Sequence, residues 1–264
     1  MKAGCEECTY RGEKVSKKER AALERMEDSL VRREDGKLQI SYPFNSRAWE
    51  QRDNRFQARQ VQLRVEESVK RKKVEEEYHG EMAKAIEAGS LRKLSSEEMS
   101  SWNGPIHYIT LFAVLNNDSK STRVRVVSNS AMKNAHTHLS FNDTTDSVPN
   151  ALNDLFNVLV QWRGHEQALM WDLSKAYQSV KTGELELHLR RVLYRAPGED
   201  DFVSYGFTCA TFGDDPAAAA LELAKRKTSR DAMHIDALAA RQVVVSTFVD
   251  DGGGGALLRR WHGT

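Results

Sequence analysis

The chain has 264 residues, of which 40 % are apolar and 29 % charged, and its formal net charge is +1. This composition excludes a disordered polar chain and gives no global attraction to nucleic acid, so a nucleic-acid groove would need locally clustered Lys and Arg. It holds no run of about 18 apolar residues to span a membrane, and Cys5, Cys8 and Cys209 are too few and too odd a set for a disulfide framework, which points to a reducing, intracellular compartment.

The first eight residues, MKAGCEEC, lack the apolar core of a signal peptide. Cys5 and Cys8 would supply only half of a zinc site, since no second Cys pair follows and His136 and His138 have the wrong spacing. Residues 1–45 are polar overall. Within them, Ser16–Leu30 reads as a short helix with Ser16 as N-cap, and Leu38–Tyr42 alternates as a strand that Pro43 ends. Residues 46–100 form a helical stretch. Its main signal is one long helix over 56–88, with an apolar stripe at Val61, Val65, Val69, Val74, Tyr78, Met82 and Ile86 and a stop at Gly89. Lys70–Lys73 lie on its other face, read either as a solvated surface or as a contact to a phosphate backbone.

Residues 101–264 change character. Ile106–Leu115 and Arg123–Val127 are β-rich arms of a hairpin with a polar tip at 116–121. Ala151–Trp162 has helical spacing, and the apolar run Ala168–Trp171 ends at Asp172. Asp215 and Pro216 open an alanine-rich helix to about Lys225, with Asp215 placed to cap it. Val243–Val249 reads as a strand ending in Asp250-Asp251, and Gly252–Gly255 give its return arm weak strand propensity.

Two apolar runs therefore end in acid. A carboxylate buried there without a partner is costly, and either a surface turn or a metal ion removes the cost. Taken alone, an Asp-Asp pair before glycines is most often a hairpin turn. Carboxylates on neighbouring strands are also the ligands a two-metal centre needs, with ions about 3.5 to 4 Å apart. Mg²⁺ suits such a site because it takes hard oxygen ligands and keeps waters and substrate phosphates, and Mn²⁺ could substitute. Cys209 sits in an apolar setting and reads as core.

Several motifs occur together and in order. Phe248-Val249-Asp250-Asp251 resembles the aromatic-x-Asp-Asp box of reverse transcriptases, and Asp172-Leu-Ser-Lys-Ala-Tyr177 resembles their first palm motif. Between them, Thr211-Phe-Gly-Asp-Asp-Pro-Ala217 is similar to the motif before a palm helix, and Ser121–Ala131 is similar to the fingers hairpin. With Cys5–Cys8, Tyr42-Pro-Phe44 and Gly104-Pro-Ile-His-Tyr-Ile109, almost the whole chain resembles the pol polyprotein of BEL/Pao-type LTR retrotransposons.

That resemblance implies an α+β right-hand polymerase fold. Its fingers and antiparallel palm sheet would fill 101–264, preceded by the long helix and by a linker from the protease region, with the thumb absent. It implies an RNA-directed DNA polymerase. Asp172, Asp250 and Asp251 would be the catalytic triad, holding two Mg²⁺ ions. Arg125, Tyr177 and Gly213 would meet the dNTP: Arg125 at the triphosphate, Tyr177 beneath the sugar, where a ring selects against a 2′-hydroxyl, and Gly213 where backbone approaches template or nucleotide. Arg123 and Lys120 are alternatives to Arg125. Read from the residues alone, Arg125 is equally an exposed strand residue, Tyr177 a core aromatic and Gly213 a turn glycine. Implied partners are an RNA or DNA template–primer duplex and the protease, RNase H and integrase of a polyprotein, in a cytoplasmic particle or the nucleus. The competing reading is an inactive remnant that at most binds nucleic acid.

Overall fold

A computed structural model describes residues 15–116, 123–149 and 151–256. Cys5, Cys8 and Lys120, and with Lys120 most of the hairpin tip, lie outside the described residues. Helices and small sheets alternate along the chain, a mixed α+β architecture.

Helix α1 (Lys17–Asp28) starts where the sequence indicates. The Ser16 hydroxyl accepts from the Glu19 N–H, and Glu19 reaches back to the Ser16 N–H in a capping box. Strands β1 (Val31–Arg32) and β2 (Leu38–Ile40) follow as a hairpin, and β2 pairs in parallel with β7 (Val180–Thr182), so this sheet is mixed.

The single helix expected over 56–88 is instead two, α2 (Arg55–Arg71) and α3 (Glu75–Glu87). Lys73 adopts φ 54°, and the Val74 N–H donates to the Val69 carbonyl while the Lys73 N–H donates to Lys70. These two bonds close a Schellman motif, usually reserved for glycine. The stripe itself shows the break, because its four-residue step becomes five between Val69 and Val74. Both halves still bury it, through Val65 and Val69 on α2 and Tyr78 and Met82 on α3. Gly89 closes α3 in the same way at φ 66°. Lys70–Lys73 are exposed.

After β3 (Leu91–Lys93) and α4 (Ser96–Ser101), strands β4 (Thr110–Leu115) and β5 (Val124–Asn129) form the expected hairpin. Helix α5 (Leu155–Arg163) begins at an Asp154 cap and leads into β6 (Gln167–Asp172). The short α6 (Ala176–Ser179), then β7, α7 (Glu184–Leu189), β8 (Arg191–Tyr194) and β9 (Val203–Phe207), bring the chain to α8 (Ala217–Ala232). Strands run β3-β9-β8 in an antiparallel sheet. Helix α8 outruns its expected end at Lys225, and its cap position is Pro216; the side chain of Asp215 does not cap it.

The strand expected over Val243–Val249 is mostly helix. Asp236 accepts from the Leu238 and Ala239 N–H groups, starting α9 (Ala237–Val245). Only Thr247–Phe248 remain extended, as β10, before β11 (Asp251–Ala256). A good cap and the helix formers Ala237–Arg241 carry the β-branched Val243–Val245 into the helix, so local context overrides their strand propensity.

One buried cluster draws side chains from residues 23–141 and 176–224, among them Met26, Ile40, Val69, Met82, Leu111, Phe141, Leu189 and Leu221. The residues before position 45 thus contribute core as well as surface.

Candidate active site

Strands β10, β11 and β6 form an antiparallel sheet in that order, with β11 central. Its register sets the acids. Asp251 lies directly opposite both Phe248 on β10 and Asp172 on β6, and Asp250 sits in the two-residue turn between β10 and β11. The Leu173 N–H donates to the Asp250 carbonyl at 2.9 Å, tying the turn after β6 to the hairpin. All three sequence-predicted acids therefore gather at one end of one sheet. Asp172 and Asp251 are exposed and Asp250 half-buried, and no ion pair with Lys, Arg or His forms at any of them among the described residues. Like charges directly opposite across antiparallel strands repel.

The hairpin turn is strained. Val249 takes φ 57°, a region a β-branched residue rarely enters. Two-residue hairpins need positive φ at the first turn position, normally supplied by Gly or Asn. Lys225 of α8 supports the strained turn from beneath. Its ammonium donates to the Val249 carbonyl and to Thr247 Oγ1, each at 2.9 Å, and it pairs with Glu222 at 2.7 Å. Lys225 and Glu222 are both buried.

The four glycines make a regular central strand rather than a loose arm. A Cβ on Gly252 would lie 2.0 Å from Trp171 Nε1, one on Gly253 3.0 Å from Trp162, and one on Gly255 2.2 Å from the Gln167 carbonyl oxygen. The tryptophans pack where side chains would stand, and Trp162 also donates to the Leu169 carbonyl at 3.1 Å. Low strand propensity gives way to this close approach.

Tyr177 lies on α6, which follows Lys175 at φ 54°. It is 9 % exposed, and its ring meets Phe212 with centroids 4.4 Å apart. Burial raises the Tyr177 pKa, and the charge of Asp250 adds to the effect, placing the ring in the electrostatic range of the acid turn. Gly213 follows Phe212 at φ 98°, where a Cβ would lie 3.2 Å from the Ser128 carbonyl oxygen. Ser128 Oγ donates to the Phe212 carbonyl, and Asn142 donates to that of Gly213. Tyr177 and the Phe212–Gly213 turn thus form one surface with the end of β5.

Arg125 stands apart from that surface. In the β4–β5 register it opposes Val114, on the solvent face with Phe112, whereas Ser128 points the other way toward Phe212.

Beneath the Gly213 turn lies a buried polar network that sequence reasoning missed. Asp214 accepts from Arg190 at 2.5 Å, from Ser130 Oγ at 2.5 Å and from the Tyr42 hydroxyl at 3.1 Å. Arg190 is fully buried and also donates to the Cys209 carbonyl and Thr182 Oγ1. Burial and the Asp214 charge push the Tyr42 pKa well up. The signal was available only as Asp214 next to Gly213; nothing local marks Arg190 as its partner. Cys209 is buried, which raises its pKa and suits an inert thiol.

A second acidic group lies elsewhere. Glu98, Glu184 and His188 bring ligand atoms within 4.8 Å of one another, close enough to hold a metal ion, and among the described residues no other such trio of His, Cys and acid residues does so. Their surroundings favour a different role. Arg92 pairs with both acids, at 2.7 and 3.3 Å. Arg191 Nη2 lies 2.7 Å from His188 Nδ1. A nitrogen that accepts from Arg191 leaves the neutral ring's proton on Nε2, the atom facing Glu184, so Nε2 has no lone pair for a metal. Burial lowers the His188 pKa to about 4, with Arg191 adding to the effect, and Trp102 stacks on the ring at 3.9 Å.

No protein-family model and no curated protein matches the chain. No helix among the described residues is long and apolar enough to cross a membrane.

Proposed function

We propose that the chain is the fingers-and-palm core of an RNA-directed DNA polymerase, with Asp172, Asp250 and Asp251 as its catalytic acids. The observation that carries the reading is the register of the β10-β11-β6 sheet. It sets Asp172 against Asp251, with Asp250 in the adjoining strained turn and no cation among the described residues paired to them. Backbone strain held at such a point favours a functional turn over an ordinary one.

The three acids fit a pair of Mg²⁺ ions by donor chemistry. They offer hard carboxylate oxygens at a solvent-open sheet end, where waters and substrate phosphates complete the coordination. Bound Mg²⁺ supplies charge neutralisation at a dNTP triphosphate and acidifies a primer 3′-hydroxyl. The chain's own residues do the positioning. Lys225 fixes the Val249 carbonyl and so the direction of Asp250 and Asp251. The Tyr177 ring, tilted 55° against the exposed Phe212 ring, offers an aromatic corner beside the acids for a deoxyribose. Gly213 precedes Asp214, which Arg190 anchors, and its missing side chain admits the Ser128 carbonyl oxygen against the turn. Arg125, exposed on the opposite face of the hairpin from Phe212, is placed to meet a template strand. Partners under this reading are an RNA or DNA template–primer and the other domains of a BEL/Pao-type pol polyprotein.

The test is primer extension on an RNA template with dNTPs and Mg²⁺, comparing the wild type with Asp250→Asn. Extension by the wild type that drops at least a hundredfold in the variant supports the reading. Equal extension by both would remove the acids from the chemistry, and none by either would favour the inactive remnant.

A further inference from the structure

A cleft of about 270 Å³ opens between β7, β3, α7 and the Gly89 turn, away from the acid sheet. Four charged side chains line it. Arg33, Arg92 and Lys181 are cations, and Glu184 is the one acid among the described lining residues. Arg92 is already committed to Glu98 and Glu184. Lys181 is different. It is 8 % exposed and has no ion-pair partner among the described residues. Its ammonium donates to the Gly89 carbonyl and Thr208 Oγ1, each at 3.2 Å, which accounts for two of its three hydrogens. Thr208 spends its own hydrogen on the Gly89 carbonyl. Burial lowers the Lys181 pKa; Lys37 and Arg33 push it the same way, against the opposing pull of Cys209 and Asp35. A buried ammonium with a third hydrogen to place, two guanidiniums lining its cleft and no carboxylate within ion-pair distance among the described residues is stabilised by an anion that joins it.

We propose that this cleft binds a phosphate-type oxyanion, with Lys181 as the central ligand, Arg33 as the second cation and Thr208 lining the site. A cleft of this volume takes inorganic phosphate or a small phosphate ester, and a phosphate of a nucleic-acid backbone presents the same oxygens at its open mouth. Arg33 reaches the cleft from the β1–β2 turn, where its guanidinium donates to Gln39 at 3.1 Å and pairs with Asp35 at 3.5 Å, an exposed ion pair weak enough for an oxyanion to displace. The inference does not depend on the polymerase reading.

The experiment is calorimetric titration of the full chain with inorganic phosphate at low salt. Saturable one-to-one binding is expected, weakened at least tenfold by Lys181→Met, severalfold by Arg33→Gln, and unchanged by Arg64→Gln, an exposed residue of α2 outside the cleft. Arg33 is exposed, so its variant keeps the test valid if Lys181→Met fails to fold. Glycerol phosphate and a short single-stranded oligonucleotide, each competed against phosphate, identify which source of oxyanion fits. Absence of saturable binding, or the same affinity in Arg33→Gln and any folded Lys181→Met, would overturn the proposal.

Discussion

Val249 carries the sharpest local tension in the molecule. Its φ of 57° costs an L-residue on the order of 1 to 2 kcal/mol, more for a branched one, and the turn holds because Lys225 and the sheet register leave it no alternative. Glycine removes the steric term and returns part of the gain as unfolded-state entropy. Val249→Gly is therefore expected to raise stability by about 1 kcal/mol in urea unfolding while loosening the acid turn; a loss of stability would mean that the Val249 side chain packs more usefully than its backbone strains. Residue-scale reading of the sequence found the acids because each follows an apolar run. It could not find Lys225, Glu222 or Arg190, because a charged side chain on a polar-looking segment looks solvated until the fold buries it. The partners of Arg190 and Lys225 come from tertiary contact with Asp214, Thr247 and Val249.

At the scale of elements, the β11 strand shows packing overruling propensity. Gly252–Gly255 pair with Trp171–Ala168 along their length, and the indoles of Trp171 and Trp162 occupy the space of the missing side chains. Gly255→Ala would drive a methyl to 2.2 Å from the Gln167 carbonyl oxygen, a backbone atom that cannot swing away. We expect it to destabilise the sheet by roughly 1 to 3 kcal/mol, the usual range for overpacking, with accelerated amide exchange on β6 and β11. An unchanged exchange pattern would show that the strand is not held this way. The same contest explains which elements were legible. Helix α1 and the β4–β5 hairpin were readable because cap and alternation agree with the final packing. The break at Lys73 was marked only by the five-residue step of the stripe, with no glycine to announce it, and α9 was hidden because Val243–Val245 look like strand until Asp236 caps the turn before them.

Across the whole molecule, two buried histidines make stability depend on pH. His107 is fully buried, and burial lowers its pKa to about 4, against about 6.5 when unfolded. The unfolded chain therefore binds the proton first, so stability is full above about pH 6.5 and falls as pH drops toward 4. The loss from His107 alone is on the order of 3 kcal/mol, and His188, also depressed to about 4, acts in the same direction. Urea midpoints at pH 7 and pH 5 should differ accordingly, and His107→Phe should flatten the slope; an equal slope in the variant would assign the pH dependence elsewhere. The larger claim is that the sheet end gathers Asp172, Asp250 and Asp251 for metal-assisted nucleotidyl transfer. Titration with Mn²⁺, followed by electron paramagnetic resonance in the presence of a dNTP, tests it most directly. The account predicts saturable binding that Asp172→Asn or Asp250→Asn weakens at least tenfold, while Glu98→Gln leaves it unchanged. Binding that survives both aspartate variants but is lost in Glu98→Gln would contradict it and move the metal to the Glu98–Glu184–His188 group.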